Sequence, residues 1–271
     1  MMTNNIFDLQ ATPDPHRYYL PIAPSLAIGP PERMFMFGGV GLAAGIEAMQ
    51  RTTGRSVMWA TAQYLSFARP GSVIEFDVRV STEGRHNSQA RVTGRVDDKE
   101  IIVVNAALGA RTDEMQGQWV RMPDVPPPLA CPEVSHWRGV LGGIRDHFEK
   151  RLASGRFPSG EPLDGASEDG RMRVWVRMRE GQPIGPILLA VIADFAVEAT
   201  SHALGRLAGG NSLDNTIRYG RVVPSEWVLC DMRIESIHAG VTHAVMHLFS
   251  ETGVLLATAS QSLILRHHGQ Q

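Results

Sequence analysis

One acidic residue, Asp194, interrupts the most apolar stretch of the chain, which runs from Ile187 to Val197. Its immediate neighbours are alanine and phenylalanine, and the pattern around it predicts a helix. A carboxylate in such surroundings is costly to bury unless other polar groups pair with it. Asp194 is therefore a candidate for acid–base chemistry, and the alternative is that it lies on an exposed face of the helix.

Two further polar residues fall on segments that alternate like strands. Ser212 opens the segment GNSLDNTIRYGR, and Gln261 lies between apolar neighbours in LLATASQSLILR. A buried amide such as that of Gln261 would need hydrogen-bond partners. The alternative for Gln261 is the polar face of an edge strand. Singly, neither residue identifies a site.

Two other patterns resemble known motifs but lack the structural context that those motifs require. The glycines of GGVGLAAG approximate a dinucleotide-binding loop, yet antiparallel strands are predicted after them in place of a βαβ crossover. The start of that helix could still offer N–H groups to a carbonyl or phosphate oxygen. His243 and His247 have helical metal-ligand spacing, but in a strand residues four apart are separated by about 13 Å. The sequence predicts no metal site.

The elements that must position these residues form two similar runs. The first contains a small, apolar segment from Phe37 that predicts a buried helix closed by Gly54, and the second has a long predicted helix at Pro186–Arg206. Strands predicted from period-2 alternation are Arg17–Leu20, Val57–Ser66, Val73–Ser81, Gln89–Val96 and Ile101–Leu108 in the first run, and Arg171–Arg179, Leu213–Tyr219, Trp227–Ile234, Thr242–Phe249 and Val254–Leu265 in the second. Between the runs, the segment RGVLGGIRDHFEKRLASG predicts a short amphipathic helix.

The two runs align with each other by a nearly constant offset. Asp77-Val-Arg-Val aligns with Asp231-Met-Arg-Ile at an offset of 231 − 77 = 154, which places Ala107 on Gln261. We therefore expect an α+β fold of two tandem units, in which antiparallel sheets wrap the helices and join edge to edge into one continuous sheet. The expected domains are residues 1–111 and 171–271, with 112–170 as a proline-rich linker.

Composition excludes several classes of protein. The chain has 271 residues, 26 basic and 28 acidic, so its formal charge of −2 gives no basic excess for binding a nucleic acid. Two widely separated cysteines predict free thiols in a reducing compartment. The N-terminal residues lack a secretory pattern, and the longest apolar stretch is too short to cross a bilayer. We expect a cytoplasmic protein without a membrane span.

The two runs together resemble the acyl-CoA thioesterase II family, whose members are double hotdog proteins. In the first run, FGGVGLAAGIEAM and ATAQYLSFARPGSVIEFDVRV carry the resemblance; in the second, LLAVIADF, NSLDNTIRYGR, EWVLCDMRIES and GVLLATASQSLILR carry it. The resemblance covers roughly residues 16–111 and 171–266. The chain departs from the family after Ser-Leu-Asp, where the family usually has His and then Trp-Phe-His, and this chain has Asn215 and then Ile217-Arg-Tyr-Gly.

The resemblance implies hydrolysis of acyl-CoA thioesters, as in fatty-acid and lipid metabolism. Its catalytic roles fall on Asp194, Ser212 and Gln261, with Asp194 as general base and the other two orienting a water or polarising the thioester carbonyl. No cofactor is implied, because coenzyme A arrives as part of the substrate, and double hotdog units can form homo-oligomers. Substrate binding is assigned to a further set, namely Gly38, Gly39, Arg69, Asn215 and Arg221.

The resemblance leaves two other functions open, a non-catalytic double hotdog that binds acyl-CoA or lipid and an enoyl-CoA hydratase or dehydratase. The acyl chain is expected between the helices, where Ala43, Ala44 and Gly45 would leave room. Gln261 faces alanine in the other copy, and the only acid in the first helix is Glu47. We therefore expect one working site instead of two.

Overall fold

The computed structural model describes residues 6–110, 115–134, 142–157 and 165–267, and in these residues helices pack against one twelve-stranded antiparallel sheet. The elements of the N-terminal half are β1 (Gln10–Ala11), β2 (Arg17–Pro21), β3 (Ala27–Ile28), β4 (Phe35–Met36), α1 (Gly38–Thr53), β5 (Val57–Tyr64), β6 (Val73–Glu83), β7 (Asn87–Val96) and β8 (Lys99–Gly109). Those of the C-terminal half are β9 (Phe148–Ser154), β10 (Arg171–Met178), α2 (Pro186–Ala193), α3 (Ala199–Leu204), β11 (Ala208–Tyr219), β12 (Val228–His238), β13 (Val241–Ser250) and β14 (Leu255–His267).

The first long helix, α1, forms where the sequence predicts it. Ten of its residues are buried, which fits its run of glycine and alanine. Gly54 ends it in the left-handed conformation at φ +66°, and its N–H donates to Gln50 O. Glycine adopts this conformation without the steric penalty of a side chain, so the predicted glycine cap is confirmed.

The sheet order shows that the two halves are related by a pseudo-two-fold axis. The strands run β1-β2-β6-β7-β8-β5 in one half and continue β11-β14-β13-β12-β10-β9 in the other, which is the same order reversed. At the junction of β5 with β11, Thr61 pairs with Thr216, and their hydroxyl oxygens are 2.7 Å apart. These threonines are 155 residues apart, so the axis passes between them. The continuous α+β sheet predicted from the duplication is confirmed.

Irregularities in the ladders repeat with the predicted spacing. A bulge between Val80 and Thr82 in β6 recurs between Ile234 and Ser236 in β12, and each of these residues lies 154 positions after its counterpart. The predicted match of Ala107 with Gln261 is wrong by one residue, because Gln261 pairs with Ala244 as Ala106 pairs with Ala90. Three residues, 251–253, separate Ser250 from its partner Val254, whereas two residues separate Val96 from its partner Lys99, and this difference raises the offset from 154 to 155.

The sequence predicts one continuous second helix, but the structure divides it into three segments. α2 ends at Ala193, a 3-10 segment covers Asp194–Glu198, and α3 follows. Nearly all of these residues are buried, so apolar periodicity does not distinguish a 3-10 turn from an α-helical one. By length and composition Pro186–Leu204 could span a membrane, but most of it is buried inside the molecule. It serves as a core helix of this fold.

Two expectations are corrected in the packing. The amphipathic helix predicted before residue 155 is wrong for Phe148–Ser154, which form edge strand β9 paired with β10; residues 135–141 lie outside the described residues. Pairing with the open edge of β10 outweighs the helical pattern.

The space for an acyl chain that was expected at Gly45 is also corrected. A methyl group on Gly45 would lie 2.8 Å from Val104 Cγ2 and 3.1 Å from Val92 Cγ1, so Gly45 packs against the sheet and leaves no room for an acyl chain.

The segment 115–134 packs on the outer face of the C-terminal half of the sheet. The indole N–H of Trp175 donates to Pro126 O at 2.9 Å, and Cys131 is buried with Trp175 and Trp227. Cys131 and Cys230 are both free, as the sequence predicts, and both are buried.

Candidate active site

Asp194 lies where the two halves of the molecule meet. It is 3 % exposed, and its Oδ2 accepts a hydrogen bond from the backbone N–H of Gly39, at the start of α1, at 2.8 Å. A methyl group on Gly39 would lie 2.5 Å from Val191 O, and one on Gly38 would lie 2.9 Å from Asp194 Oδ2. Both glycines are therefore needed for the close approach. The positive end of the α1 dipole favours a carboxylate in this position.

The predicted catalytic residues converge on this carboxylate. The Gln261 amide N–H₂ donates to Asp194 Oδ1 and, at 2.7 Å, to Ser212 Oγ. The Asn215 amide donates to the same Asp194 oxygen at 3.5 Å. Asp194, Ser212 and Gln261 thus form one hydrogen-bonded group. Asn215, which the sequence assigns to substrate binding, contacts the carboxylate directly.

A bulge in β11 brings Ser212 and Asn215 to the same face. In a regular strand these residues would point to opposite faces, because side chains alternate and the two are three positions apart. The register shifts between Ser212 and Asp214, which adds one residue and restores a common direction. Ser212 was predicted to open its strand, but β11 begins four residues earlier, at Ala208.

The surroundings of Asp194 change its proton affinity. Burial raises the pKa of Asp194 from 3.8 to about 7, although the hydrogen bonds from Gly39, Gln261 and Asn215 oppose the rise. The nearby charge of Glu198 raises the same pKa further. A carboxyl group that titrates near neutrality is suited to accept a proton from water and to return it later.

Tyr64 belongs to the site, and the sequence analysis missed it. A methyl group on Gly38 would lie 3.0 Å from Tyr64 Cζ, so the phenol ring lies against the start of α1 beside Asp194. Three buried polar atoms here have no partner within hydrogen-bond distance and angle among the described residues: Tyr64 Oη, Asn215 Oδ1 and Gln261 Oε1. The alternation of β5, in which Ala60 and Ala62 face inward and Tyr64 follows, was the available signal.

A buried ion pair supports the 3-10 segment that carries Asp194. Lys150, which is 2 % exposed, donates to Glu198 Oε1 at 2.7 Å, and its Nζ lies 3.3 Å from the centroid of the Phe195 ring. Arg145 is 3.5 Å from the same Glu198 oxygen. Burial lowers the pKa of Lys150, and Glu198 opposes that shift. Lys150 sits on β9, whose strand character the sequence did not reveal, so this partner of Glu198 was also missed.

Arg69 and Arg221, assigned to substrate binding from the sequence, lie on the surface outside this group. Arg69 is exposed in the turn after β5, where its carbonyl accepts from Ser72, and Arg221 is exposed after β11. Within the described part of the chain neither guanidinium hydrogen-bonds to Asp194, Ser212 or Gln261. Their assignment stays a prediction.

The related position in the other half is apolar. Applying the 155-residue offset, Ser212, Asn215 and Gln261 correspond to Val57, Ala60 and Ala106. The bulge is kept, because the register shifts between Val57 and Trp59 as it does between Ser212 and Asp214. The structure therefore has this polar group on one side of the axis, as the sequence predicts.

Comparison with known proteins agrees with this architecture. Models of the N-terminal and C-terminal domains of acyl-CoA thioesterases match residues 30–109 and 121–265. A candidate thioesterase of Novosphingobium aromaticivorans is 36% identical, with a TM-score of 0.84 and alignment over 96% of this chain and 98% of the other. None of the curated proteins matches the chain.

Two more distant structures share the fold. A hotdog protein of unknown function from Alicyclobacillus acidocaldarius is 19% identical over 97% of each chain, with a TM-score of 0.84. An acyl-CoA thioesterase II from Mycobacterium marinum is 20% identical over 97% of this chain and 98% of the other, with a TM-score of 0.72. The predicted double hotdog fold is confirmed.

Proposed function

The chain belongs to the acyl-CoA thioesterase family, and from this premise we propose that it hydrolyses acyl-CoA thioesters with a water molecule activated by Asp194. The observation that carries the proposal is the convergence of Asp194, Ser212 and Gln261, in which one amide donates to both the carboxylate and the hydroxyl. These groups come from segments that are distant in the sequence, and Asp194 and Gln261 are 67 residues apart.

Hydrogen bonding leaves Asp194 able to act as a base. Its Oδ1 accepts from Gln261 and Asn215, whereas its Oδ2 accepts from Gly39. A carboxylate oxygen has about two lone pairs, so Oδ2 keeps one for a proton from water. The unpartnered oxygens of Gln261 and Asn215 are acceptors that suit the second hydrogen of the same water.

The proposed reaction follows from this arrangement. Asp194 removes a proton as the water oxygen attacks the thioester carbonyl carbon, and the carbon–sulfur bond then breaks to give a free acid. The carboxyl proton of Asp194 passes to the leaving thiolate of coenzyme A. No cofactor takes part, because coenzyme A is a portion of the substrate. No covalent intermediate is needed.

Thiol release from a panel of acyl-CoA chain lengths tests the proposed activity. We expect turnover on at least one chain length and loss of about 10²–10⁴-fold in the Asp194→Asn variant, the range that general-base catalysis supplies. Saturable acyl-CoA binding without turnover on any substrate would instead identify a binding protein. Full activity of Asp194→Asn would exclude the mechanism.

A single turnover in H₂¹⁸O with excess enzyme tests the direct attack of water. We expect one ¹⁸O in the free acid and none in the Asp194 carboxylate. Label in the Asp194 side chain, detected by mass spectrometry of its peptide, would show that Asp194 attacks the carbonyl as a nucleophile.

A further inference from the structure

Most of the donors around Asp194 already serve the carboxylate. The Gly39 N–H and the amide groups of Gln261 and Asn215 all point at the carboxylate. The atoms left over on Gln261 and Asn215 are oxygens, which only accept. An oxyanion that forms on a thioester carbonyl needs donors. The hydroxyls of Ser212 and Tyr64 still have a hydrogen to donate, and of the two only the Tyr64 oxygen is unpartnered, because the Ser212 oxygen already accepts from the Gln261 amide.

The pseudo-two-fold axis relates Tyr64 to a second tyrosine whose hydroxyl is hydrogen-bonded differently. Tyr219 lies 155 residues after Tyr64, and its hydroxyl donates to Pro186 O, in the first residue of α2, at 2.9 Å. Tyr64 lies against Gly38, the first residue of α1, but its hydroxyl makes no hydrogen bond there. The tyrosine hydroxyl donates a hydrogen bond in one half, whereas in the half that holds the polar group the Asn215 amide acts on its oxygen and its hydrogen has no acceptor among the described residues.

An unsatisfied buried hydroxyl lowers stability, because its desolvation is not compensated. In a folded protein such a group calls for an explanation, and one explanation is that the hydroxyl bonds to a ligand. The charges of Asp194 and Asp214 and the amide of Asn215 act on the Tyr64 hydroxyl. The hydroxyl therefore lies close to Asp194 and Asn215, two of the groups that surround the proposed water. The ligand atom that it can serve is therefore the oxygen of the carbonyl group that the water attacks.

We propose that Tyr64 is a catalytic residue whose hydroxyl donates a hydrogen bond to the thioester carbonyl oxygen and stabilises the oxyanion. This inference rests on the proposed function. As the water oxygen bonds to the carbonyl carbon, the carbonyl π electrons move onto the oxygen that Tyr64 holds. When these electrons reform the double bond, the carbon–sulfur bond breaks, and the thiolate receives the proton held by Asp194.

Tyr64 can act only as a donor if it keeps its proton. Burial raises the pKa of Tyr64 well above 10, and the nearby carboxylates of Asp194 and Asp214 add to the rise, while the Asn215 amide opposes it. The phenol is therefore neutral over the working pH range and does not compete with Asp194 for protons.

The pair of tyrosines provides a matched experiment, Tyr64→Phe against Tyr219→Phe. We expect Tyr64→Phe to lower kcat by about 100-fold, the usual loss of one oxyanion donor, with little change in KM. Its melting temperature should equal or exceed that of the wild type, because an unsatisfied hydroxyl is removed. Tyr219→Phe should show the reverse, a lower melting temperature and kcat within threefold of the wild type. A kcat within threefold of wild type for Tyr64→Phe, or an equal loss in Tyr219→Phe, overturns the proposal.

Two non-hydrolysable ligands separate a contact with the carbonyl from a structural role. One is an acyl-CoA in which a methylene group stands between sulfur and carbonyl, and the other is the S-alkyl-CoA thioether without the carbonyl. We expect the wild type to prefer the ketone by about tenfold in Kd, and Tyr64→Phe to lose that preference. A preference that survives in Tyr64→Phe overturns the proposal, even if kcat falls.

The failure of the inference can be distinguished from the failure of the proposed function. If the wild type binds both ligands but releases no thiol from any acyl-CoA, hydrolysis is wrong, and the ketone preference alone decides the role of Tyr64. If it hydrolyses acyl-CoA and Tyr64→Phe does so equally well, only the inference is wrong. If it neither binds nor hydrolyses, both are wrong.

Discussion

The backbone N–H of Gly39 lies 2.8 Å from the Oδ2 of Asp194, although the two residues belong to different halves of a duplicated chain. The start of one helix thus stabilises a carboxylate at the end of the other. A glycine is required for this approach, since a side chain on Gly39 would meet Val191 O and Asp194 Cβ. The site therefore forms only where the two halves meet, and neither half contains it alone.

Replacing Gly39 by alanine should separate these two residues. The added methyl group would lie 2.5 Å from Val191 O, closer than carbon and oxygen approach without displacement. We expect a loss of about 1–3 kcal/mol in the free energy of unfolding and of about 10–100-fold in kcat, because Asp194 moves from its position. Urea unfolding and thiol release measure the two effects.

Gly185→Ala is the matched control for that variant. Gly185 precedes α2 as Phe37 precedes α1, its φ is −103°, and a methyl group there meets nothing within 4 Å. We expect wild-type stability and rate. If Gly39→Ala behaved in the same way as Gly185→Ala, the close approach of helix and carboxylate would not matter.

Asp194→Asn should alter how stability depends on pH. The folded state keeps the Asp194 proton up to a pKa of about 7, whereas the unfolded chain releases it near 3.8. Between these values the folded state binds more protons, so this residue's contribution falls as pH rises, by about 4 kcal/mol across the window. Asparagine does not titrate, and the variant should gain stability relative to wild type from pH 4 to 7. Urea titrations at pH 5 and 8 test this; an equal difference at both would contradict it.

Much of the fold could be predicted because its causes are local. Period-2 alternation indicates which segments are strands, and Gly54 marks the end of α1 in a conformation that favours glycine. The duplication was visible as an offset of 154, which holds for the bulges of β6 and β12 but becomes 155 at Gln261 and where β5 pairs with β11. Asp194 and Gln261 were singled out because polar residues in apolar segments require partners, and the resemblance to the acyl-CoA thioesterase II family joined them with Ser212 in one site.

What could not be predicted depends on contacts between distant segments. β9 is a strand because β10 offers an open edge, and the sequence around Phe148 does not contain that information. Lys150 acquires its role only when β9 brings it beneath Phe195 and Glu198. Tyr64 is one of several inward positions on β5, and its importance appears only when α1 and β11 surround it.

Gln261→Met should move the pH dependence of catalysis. The Gln261 amide donates to Asp194 and holds its pKa down, so without that bond the pKa of Asp194 rises above about 7. We expect the wild-type kcat/KM to reach half its maximum near pH 7, and the variant to do so at a higher pH with a lower plateau. Gln89→Met, at an exposed position of β7, should match the wild type. A midpoint that stays in place or falls would show that Gln261 does not stabilise the carboxylate.

The last prediction concerns the buried pair of Lys150 and Glu198. Glu198→Gln leaves Lys150 in the interior without its carboxylate, which should lower the free energy of unfolding by about 3–5 kcal/mol. This loss should deepen as pH falls, because the unfolded state then binds the Lys150 proton more readily than the folded state. Glu226→Gln, at the exposed partner of Arg177, should change stability by less than about 1 kcal/mol.

The double variant Glu198→Gln with Lys150→Met separates stability from catalysis. Removing both charges should recover most of the stability lost in Glu198→Gln, because no buried charge is left unpaired. The charge of Glu198 raises the pKa of Asp194, so its removal should shift the acid limb of kcat/KM to lower pH than in the wild type. An acid limb at the wild-type pH in a stable double variant would show that the pair only supports the 3-10 segment and does not tune the carboxylate.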